Sequence, residues 1–345
     1  MTPTIKDIAR IANVSPTAVS IALNGRPGVS EKTRDQIRKI AKDLGYRPNY
    51  VAKTLISRRS QSIGLMVSNI ADPFYTELAC GVEKKANERG YTLLLCNTNR
   101  SRAAEIRFIE MLRGRGVDGI ILSTVEKGDS CVKSLVEEHF PFVLVNRLPM
   151  DPSVTNRFDY VVQDNFLGGY QGTEHLYRLG HDRIAIIAGD LKTSTGIRKL
   201  EGVRRAMSDF DVKLDRGLVV DCGYIRDRAC KAAEQLLALE SRPTAFFCHD
   251  DNMALGVREA ILRAGLRIPE DVALMGFDDI DTGALNGIDL TTITNNTAEM
   301  GEVGTRILID KIEGTTHDMV SKIVLEAKLV IRKSCGYEHS HGYVR

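Results

Sequence analysis

Residues 4–20 read Thr-Ile-Lys-Asp-Ile-Ala-Arg-Ile-Ala-Asn-Val-Ser-Pro-Thr-Ala-Val-Ser, and this stretch decides the fold of the N-terminal region. Thr4 followed by Asp7 is an acidic version of a capping box, which predicts the start of a helix. Apolar side chains then recur at helical spacing, at Ile5, Ile8, Ala9 and Ala12. Ser15 and Pro16 are typical of the N-cap and first position of a second helix. The stretch therefore predicts two short helices joined by a tight turn.

The sequence after this pair of helices predicts a basic three-helix unit. Asn24-Gly25 ends the second helix, and Ser30 caps a third helix that runs to Leu44. The first sixty residues hold twelve Lys/Arg against four Asp/Glu, whereas the remaining 285 hold 35 against 41. Such a positive end indicates a polyanionic partner. We therefore expect a DNA-binding helix-turn-helix rather than a three-helix domain that binds protein.

The docking of a helix-turn-helix on DNA assigns roles to the second helix. Its first turns lie in the major groove, so we expect Pro16 and Thr17 to face base edges. Ser15, Ser20 and the loop after the helix would then meet phosphates.

A short segment from Asn49 to Leu55 follows a proline that blocks helix continuation from the preceding residues. A helix of about nine residues is too short to be stable alone in water. Two interpretations remain open from the residues. The segment is either a simple linker or a hinge helix that forms on DNA in two paired copies, with Leu55 wedged between base steps in the minor groove.

From Ser62 onward, short β-branched runs alternate with amphipathic stretches. The runs are 63–67, 91–95, 119–122, 142–145, 184–187, 218–220, 244–247 and 272–275. Apolar strands separated by helices predict parallel sheets that are covered on both faces. Because the units are too many for one sheet, we expect an α/β body of two Rossmann-like lobes. Ligands of such sheets bind at the carboxyl ends of the strands.

Polar side chains follow most of these predicted strands. Carboxylates beside amides and an arginine, with an aromatic pair, suit a hydroxylated ring. We expect Arg147, Asp164 and Asp251 to contact such a ligand. Turn or helix-cap roles are expected instead for five residues, namely Asn69, Asp72, Asn97, Asp278 and Asp279.

Several of these motifs closely resemble those of the lactose/galactose repressor (LacI/GalR) family. In the head they are residues 4–20, Leu-Asn-Gly at 23–25 and Leu-Gly-Tyr-Arg-Pro-Asn at 44–49. In the body they include Asp-Pro-Phe-Tyr at 72–75 and Met-Gly-Phe-Asp-Asp at 275–279. The resemblance implies an α/β fold with an N-terminal helix-turn-helix head and a hinge helix. Two Rossmann-like lobes of periplasmic-binding-protein type would follow.

The same resemblance implies a domain organisation. A helix-turn-helix DNA-binding domain would span 1–47, a hinge helix or linker 48–61, an effector-binding domain 62–335 and a tail 336–345. The first lobe would comprise about 62–161 plus 293–322, and the second about 162–292 plus 323–335.

The resemblance also implies two sets of site residues. The DNA-contacting set comprises Thr4, Ser15, Pro16, Thr17, Ser20, Ile21, Asn24, Arg26, Val29, Ser30, Thr33, Tyr46, Asn49, Ala52 and Leu55. The effector pocket comprises Phe74, Tyr75, Ser123, Arg147, Asp164, Arg198 and Asp251. Ile21 stands where the family commonly has an arginine, so it offers only an apolar contact, for example to a thymine methyl.

The function expected from these features is sequence-specific regulation of transcription, as a repressor controlled by a small-molecule effector. Its partners would be a pseudo-palindromic operator, a sugar or related metabolite, and a second copy of the chain, because one recognition helix reads only a few base pairs. The alternative is a metabolite-binding receptor without a DNA role.

Motifs for other functions are missing from the sequence. It has no Gly-x-Ser-x-Gly, phosphate-binding loop or His-Glu-x-x-His, so we expect neither an enzyme nor a cofactor. Its seven scattered cysteines predict buried free thiols in a reducing compartment rather than disulfides or a metal site. We also expect neither a signal peptide nor a membrane span, and therefore a cytoplasmic protein.

Overall fold

The computed structural model describes residues 3–25, 27–46, 59–126, 130–151, 153–154, 157–315 and 319–337. The chain forms two compact units, Met1–Ser60 and Gln61–Arg345. No helix within the described ranges is both long enough and apolar enough to cross a lipid bilayer.

The first unit contains α1 (Ile5–Ala12), α2 (Pro16–Leu23) and α3 (Glu31–Asp43). Each helix begins where its cap predicts. The Thr4 hydroxyl accepts from the Asp7 amide while the Asp7 carboxylate accepts from the Thr4 amide. The hydroxyls of Ser15 and Ser30 cap α2 and α3 in the same way. The apolar faces meet in one small core, formed by Ile8, Ala9, Ala12, Val19, Ala22, Ile37 and Ala41.

The second unit begins with a lobe built on six parallel strands in the order β11-β5-β4-β3-β1-β2. The strands are β1 (Ser62–Val67), β2 (Thr92–Asn97), β3 (Gly119–Leu122), β4 (Phe142–Val145), β5 (Asp159–Gln163) and β11 (Lys322–Leu325). The helices are α4 (Pro73–Glu88), α5 (Arg102–Gly114), α6 (Ser130–Glu137) and α11 (Thr297–Glu313). Two apolar cores flank the sheet, so both of its faces are covered as the continuous apolar runs predict.

The other lobe has four parallel strands in the order β7-β6-β8-β9. They are β6 (Ile184–Ala188), β7 (Val219–Asp221), β8 (Ala245–Cys248) and β9 (Ala273–Met275). The helices are α7 (Asn165–Arg178), α8 (Ser194–Asp209), α9 (Arg226–Leu237) and α10 (Asp251–Arg263). An antiparallel pair, β10 (Thr292–Ile293) and β12 (Leu329–Val330), completes it, with single 3-10 turns at Arg216–Leu218, Asp281–Ala284 and Lys333–Cys335.

The chain passes between the lobes three times, and the structure moves each predicted boundary by a few residues. Val162 and Gln163 belong to β5, in the first sheet. Ile293 pairs with Leu329 in the second lobe, although it was expected in the first. Strand β11 pairs with β5 as far as Leu325, so the last passage follows residue 325 rather than 322. Backbone pairing between strands distant in sequence sets these positions, and local sequence does not reveal it.

Candidate functional site

In the first unit, α2 buries Val19 and Ala22 and exposes Ser15, Pro16 and Thr17. Eleven of the residues predicted to contact DNA lie in the described ranges. All of them are exposed or half-exposed: Thr4, Ser15, Pro16, Thr17, Ser20, Ile21, Asn24, Val29, Ser30, Thr33 and Tyr46. The other four predictions, Arg26, Asn49, Ala52 and Leu55, lie outside the residues that the structure describes. The accessible start of α2 is the part that a helix-turn-helix places in the major groove.

In the second unit, a partly open cavity lies between the two lobes, with about 360 Å³ of empty space that includes open solvent. It is lined by Asp72, Phe74, Tyr75, Arg100, Asn146, Arg147, Thr195, Lys199, Tyr224, Asp250, Asp278 and Asn295. Most of these residues follow the carboxyl ends of strands in the two sheets, where a doubly wound fold binds its ligands.

Opposite charges are balanced in the cavity wall, which holds three carboxylates and three cationic side chains. Lys199 is almost fully buried on α8, and its Nζ donates to the His249 carbonyl at 2.7 Å. The same Nζ lies 3.7 Å from Asp278 Oδ1 and 3.5 Å from the centre of the Phe277 ring. Burial lowers the pKa of Lys199, and the neighbouring carboxylates oppose that shift.

The carboxylates of the wall are also withdrawn from water. Burial raises the pKa of Asp278 to about 6, and it raises the pKa of Asp250 well above the ordinary value. Asp278 Oδ1 accepts from Asn295 Nδ2 at 2.7 Å, and Asp250 Oδ1 accepts from the Met253 amide at 2.5 Å. Buried carboxylates that are only partly paired retain acceptor sites for ligand hydroxyls.

Aromatic side chains form the apolar part of the wall. Phe74 and Tyr75 pack edge to face, with ring centroids 5.0 Å apart. Tyr224 comes from the opposite lobe, and its hydroxyl lies 3.1 Å from Thr195 Oγ1. Ring faces next to carboxylates and guanidinium groups can contact the apolar and hydroxylated parts of one sugar-like ligand.

Three of the predicted effector residues, Phe74, Tyr75 and Arg147, line the cavity. Ser123 is completely buried, its amide donates to the Met66 carbonyl, and its hydroxyl has no hydrogen-bond partner among the described residues. Asp164 instead caps α7 by accepting from the Leu167 amide at 2.9 Å. Neither residue lines this cavity, and their assignment to the effector site stays a prediction.

Arg198 and Asp251 also lie away from the cavity. Arg198 points to solvent and pairs with Glu201 at 2.8 Å. The next residue, Lys199, faces the cavity because each step along a helix turns the side chain by about 100°. Asp251 is completely buried and accepts from the Ile280 amide at 2.9 Å and the Thr292 hydroxyl at 2.7 Å.

Two residues that were expected to be turn or cap residues line the cavity. Asp72 does cap α4, accepting from the Phe74 amide at 3.2 Å, and it faces the cavity as well. Asp278 has a left-handed backbone with φ 116°, as a turn residue can have. One side chain can therefore both cap a helix and face the cavity. For both residues, a position shortly after the end of a strand was the feature of the sequence that could have indicated a place in the cavity wall.

The described residues contain no cluster of three or more His, Cys, Asp or Glu side chains that could hold a metal ion.

Comparison with known protein families gives two matches that together cover most of the chain. The model described as bacterial regulatory proteins of the lacI family matches residues 4–49. The model described as periplasmic binding proteins and sugar binding domain of the LacI family matches residues 60–333. The matches correspond to the helix-turn-helix unit and to the two lobes.

Individual relatives match over nearly their full length. The HTH-type transcriptional repressor PurR of Vibrio atlanticus is 32% identical over 317 residues, which are 91% of this chain and 93% of the relative. The ribose operon repressor of Haemophilus influenzae is 34% identical over 332 residues, or 96% and 98%. Among solved structures, the Lac repressor dimer bound to operator and the anti-inducer ONPF has a TM-score of 0.86 and 25% identity. That match covers 97% of this chain and 99% of the other.

Proposed function

Because the chain belongs to the LacI family of bacterial regulatory proteins, we propose that it represses transcription as a homodimer and senses a sugar-like metabolite in the cavity between its lobes. The observation that carries this proposal is that one chain combines an exposed α2 surface with a polar cavity, whose wall holds equal numbers of carboxylates and cationic side chains. The repressor relatives match the chain across both units, whereas the alternative receptor without a DNA role would not need the first unit.

The proposed effector contacts are the residues of the cavity wall. Phe74 and Tyr75 supply ring faces, while Asp72, Asp250 and Asp278 accept from hydroxyls. We propose binding rather than catalysis, since the relatives matched over their full length are repressors. A regulator of bacterial genes acts where the chromosome lies, so we propose that the protein is cytoplasmic.

Effector control requires that the effector bind one of two states of the dimer more tightly. A ligand that contacts both lobes can have this property, because its contacts depend on how far the lobes close. We propose a coupling free energy between effector and operator of about 1–3 kcal/mol, the usual size for allosteric proteins.

The proposal is tested by fluorescence titration of the full-length protein against fragments of its own genome at several salt concentrations. We expect specific fragments to bind with a log–log salt slope of about −0.9 for each phosphate neutralised. Addition of sugars, sugar acids and sugar phosphates should then identify a ligand that changes the operator affinity by about 5–150-fold. Salt-insensitive or absent DNA binding would contradict the DNA role, and operator affinity insensitive to every added metabolite would contradict the sensing role.

A further inference from the structure

A second cavity, with about 390 Å³ of empty space that includes open solvent, adjoins the first and lies between the same two lobes. The two cavities share three wall residues, Arg100, Arg147 and Tyr224. A ligand group at the junction of the cavities would therefore lie beside Arg147, which is buried, and Arg100, which is exposed.

Arg147 is 7% exposed and forms no ion pair with any described residue. Its Nη1 is 3.4 Å from the Ser68 hydroxyl, a long hydrogen bond, and its Nε has no hydrogen-bond partner within the described structure. The guanidinium carbon lies 5.9 Å from the centre of the Tyr224 ring. The carboxylates of Asp190 and Glu126 lie beyond ion-pair distance and also favour the charged form, so the pKa of Arg147 is raised although burial opposes the charge. Arg147 is thus a buried cation whose donors are mostly unused.

The other buried cation of the first cavity, Lys199, differs from Arg147 in having partners. Its Nζ donates to the His249 carbonyl and lies near the Asp278 carboxylate. In the second cavity, Arg102 Nη1 lies 2.7 Å from Glu105 Oε2. Arg100, like Arg147, has no carboxylate within 4.0 Å among the described residues, and its Nη2 donates to the Tyr224 carbonyl at 2.8 Å. The two guanidinium groups without an ion pair are therefore the two arginines at the junction.

Burying a charge without an ion pair is costly, so a site that does so favours a ligand of opposite charge. The planar fork of a guanidinium matches the paired oxygens of a carboxylate or phosphate better than it matches single hydroxyls. We infer that the effector carries a carboxylate or phosphate group, held at the junction by Arg147 and Arg100. This inference rests on the proposed function and narrows its effector class to acidic sugars or sugar phosphates.

Calorimetric titration of the full-length protein with matched ligands tests the charge requirement. The series pairs glucose with glucuronate and with glucose 6-phosphate, and ribose with ribose 5-phosphate. We expect at least one anionic member to bind about tenfold or more tightly than its neutral counterpart, as charge-assisted hydrogen bonds require. Comparing the affinities of glucuronate and glucose 6-phosphate shows whether the site prefers a carboxylate or a phosphate group.

Substitution of the arginine tests its place in the site. In Arg147→Gln we expect the affinity for the preferred anionic ligand to fall about tenfold more than the affinity for its neutral counterpart, so that the preference disappears. Arg147→Lys keeps the charge without the fork, so it should retain part of the preference. Arg198→Gln is the matched control, because Arg198 is exposed outside both cavities.

Thermal unfolding of the ligand-free variants separates loss of binding from loss of folding. Removing an unpaired buried charge should leave the melting temperature of Arg147→Gln equal to or above that of the wild type. The inference is overturned if no anionic member binds more tightly than its neutral counterpart, if nothing in the series binds, or if the preference survives in Arg147→Gln. A neutral sugar that changes operator affinity would overturn the inference and leave the proposed function intact.

Discussion

At the scale of single residues, Asp250 and Asp251 show how adjacent identical side chains take different roles. Asp250 is the N-cap of α10 and faces the cavity. Asp251 is the first residue of the helix and points into the lobe, where it joins Ile280 and Thr292. Its carboxylate also fills the space that a side chain at residue 276 would occupy, since a Cβ on Gly276 would lie 1.9 Å from Oδ1. Asp251 therefore contacts three segments of the second lobe, at Gly276, Ile280 and Thr292.

Asp251→Ala should destabilise the second lobe. The change leaves the Ile280 amide and the Thr292 hydroxyl buried without their partner, at a cost of about 1–3 kcal/mol for each group. Asp251→Asn keeps one acceptor oxygen and should lose less. Urea unfolding of the two variants and the wild type measures the difference. Equal stability of Asp251→Ala and the wild type would show that the carboxylate has no structural role.

The burial of His249 leads to a second prediction for a single residue, which concerns how the free energy of unfolding depends on pH. The ring is completely buried, and burial lowers the pKa of His249 from 6.5 to about 3. Between these values the unfolded chain binds one more proton than the folded protein, so the contribution of His249 to stability falls as the pH falls. One proton corresponds to about 1.4 kcal/mol per pH unit.

His249→Leu should remove this contribution. We expect the free energy of unfolding of the variant to decline less steeply than that of the wild type between about pH 6 and pH 4. Asp278 titrates in the same interval in both proteins, so the difference between the two slopes isolates the histidine. Urea unfolding at several pH values measures both slopes, and parallel slopes would contradict the assignment of a neutral, buried ring.

At the scale of secondary structure, the close packing of α7 against α8 positions Lys199. Gly169 of α7 lies against the Lys199 backbone, and a Cβ at this glycine would be 2.1 Å from the Lys199 carbonyl oxygen. Gly202 of α8 lies equally close to the Phe166 carbonyl oxygen. Two glycines on facing helices thus allow the backbones to approach until Lys199 reaches the cavity wall.

Gly169→Ala should force α7 and α8 apart. We expect a loss of stability of about 1–3 kcal/mol from overpacking, together with weaker effector binding because Lys199 shifts. The matched control is Gly114→Ala at the end of α5, where a Cβ would meet nothing within 4 Å. That change should stabilise the protein by up to about 1 kcal/mol. Thermal unfolding and ligand titration of both variants provide the comparison, and similar behaviour of the two would refute the packing argument.

At the scale of the whole molecule, the chain divides two tasks between two units. The basic helix-turn-helix lies in Met1–Ser60, and the cavity lies in Gln61–Arg345. Changes in the cavity wall should therefore alter effector response without altering the surface that binds DNA.

Asp250→Asn tests this separation. Asparagine keeps the helix cap but removes the negative charge from the wall. We expect the effector concentration that gives half of the response to rise about tenfold or more, while operator affinity without effector stays within about threefold. Asp164→Asn changes an equivalent cap outside the cavity and should leave both quantities unchanged. Loss of operator affinity in Asp250→Asn alone would mean that the cavity wall contributes directly to the DNA-binding state.

The sequence alone determined the features that depend on neighbours along the chain. Thr4, Ser15 and Ser30 start helices because a hydroxyl accepts from a backbone amide three residues later. The apolar runs became buried parallel strands for a similar reason, since a run apolar on both faces needs cover on both sides. The family resemblance rested on such local motifs, and it correctly indicated the two-lobed fold.

Tertiary structure alone decided which polar side chains reach the cavity. Lys199 rather than Arg198 faces it because the packing of α7 on α8 sets the rotation of α8. Asp250 faces the cavity. Asp251 does not, because its carboxylate accepts hydrogen bonds from the Ile280 amide and the Thr292 hydroxyl inside the lobe. The passage between lobes after Leu325 depends on pairing with β5, more than 150 residues earlier in the chain. These outcomes follow from contacts between distant segments, which local spacing in the sequence does not encode.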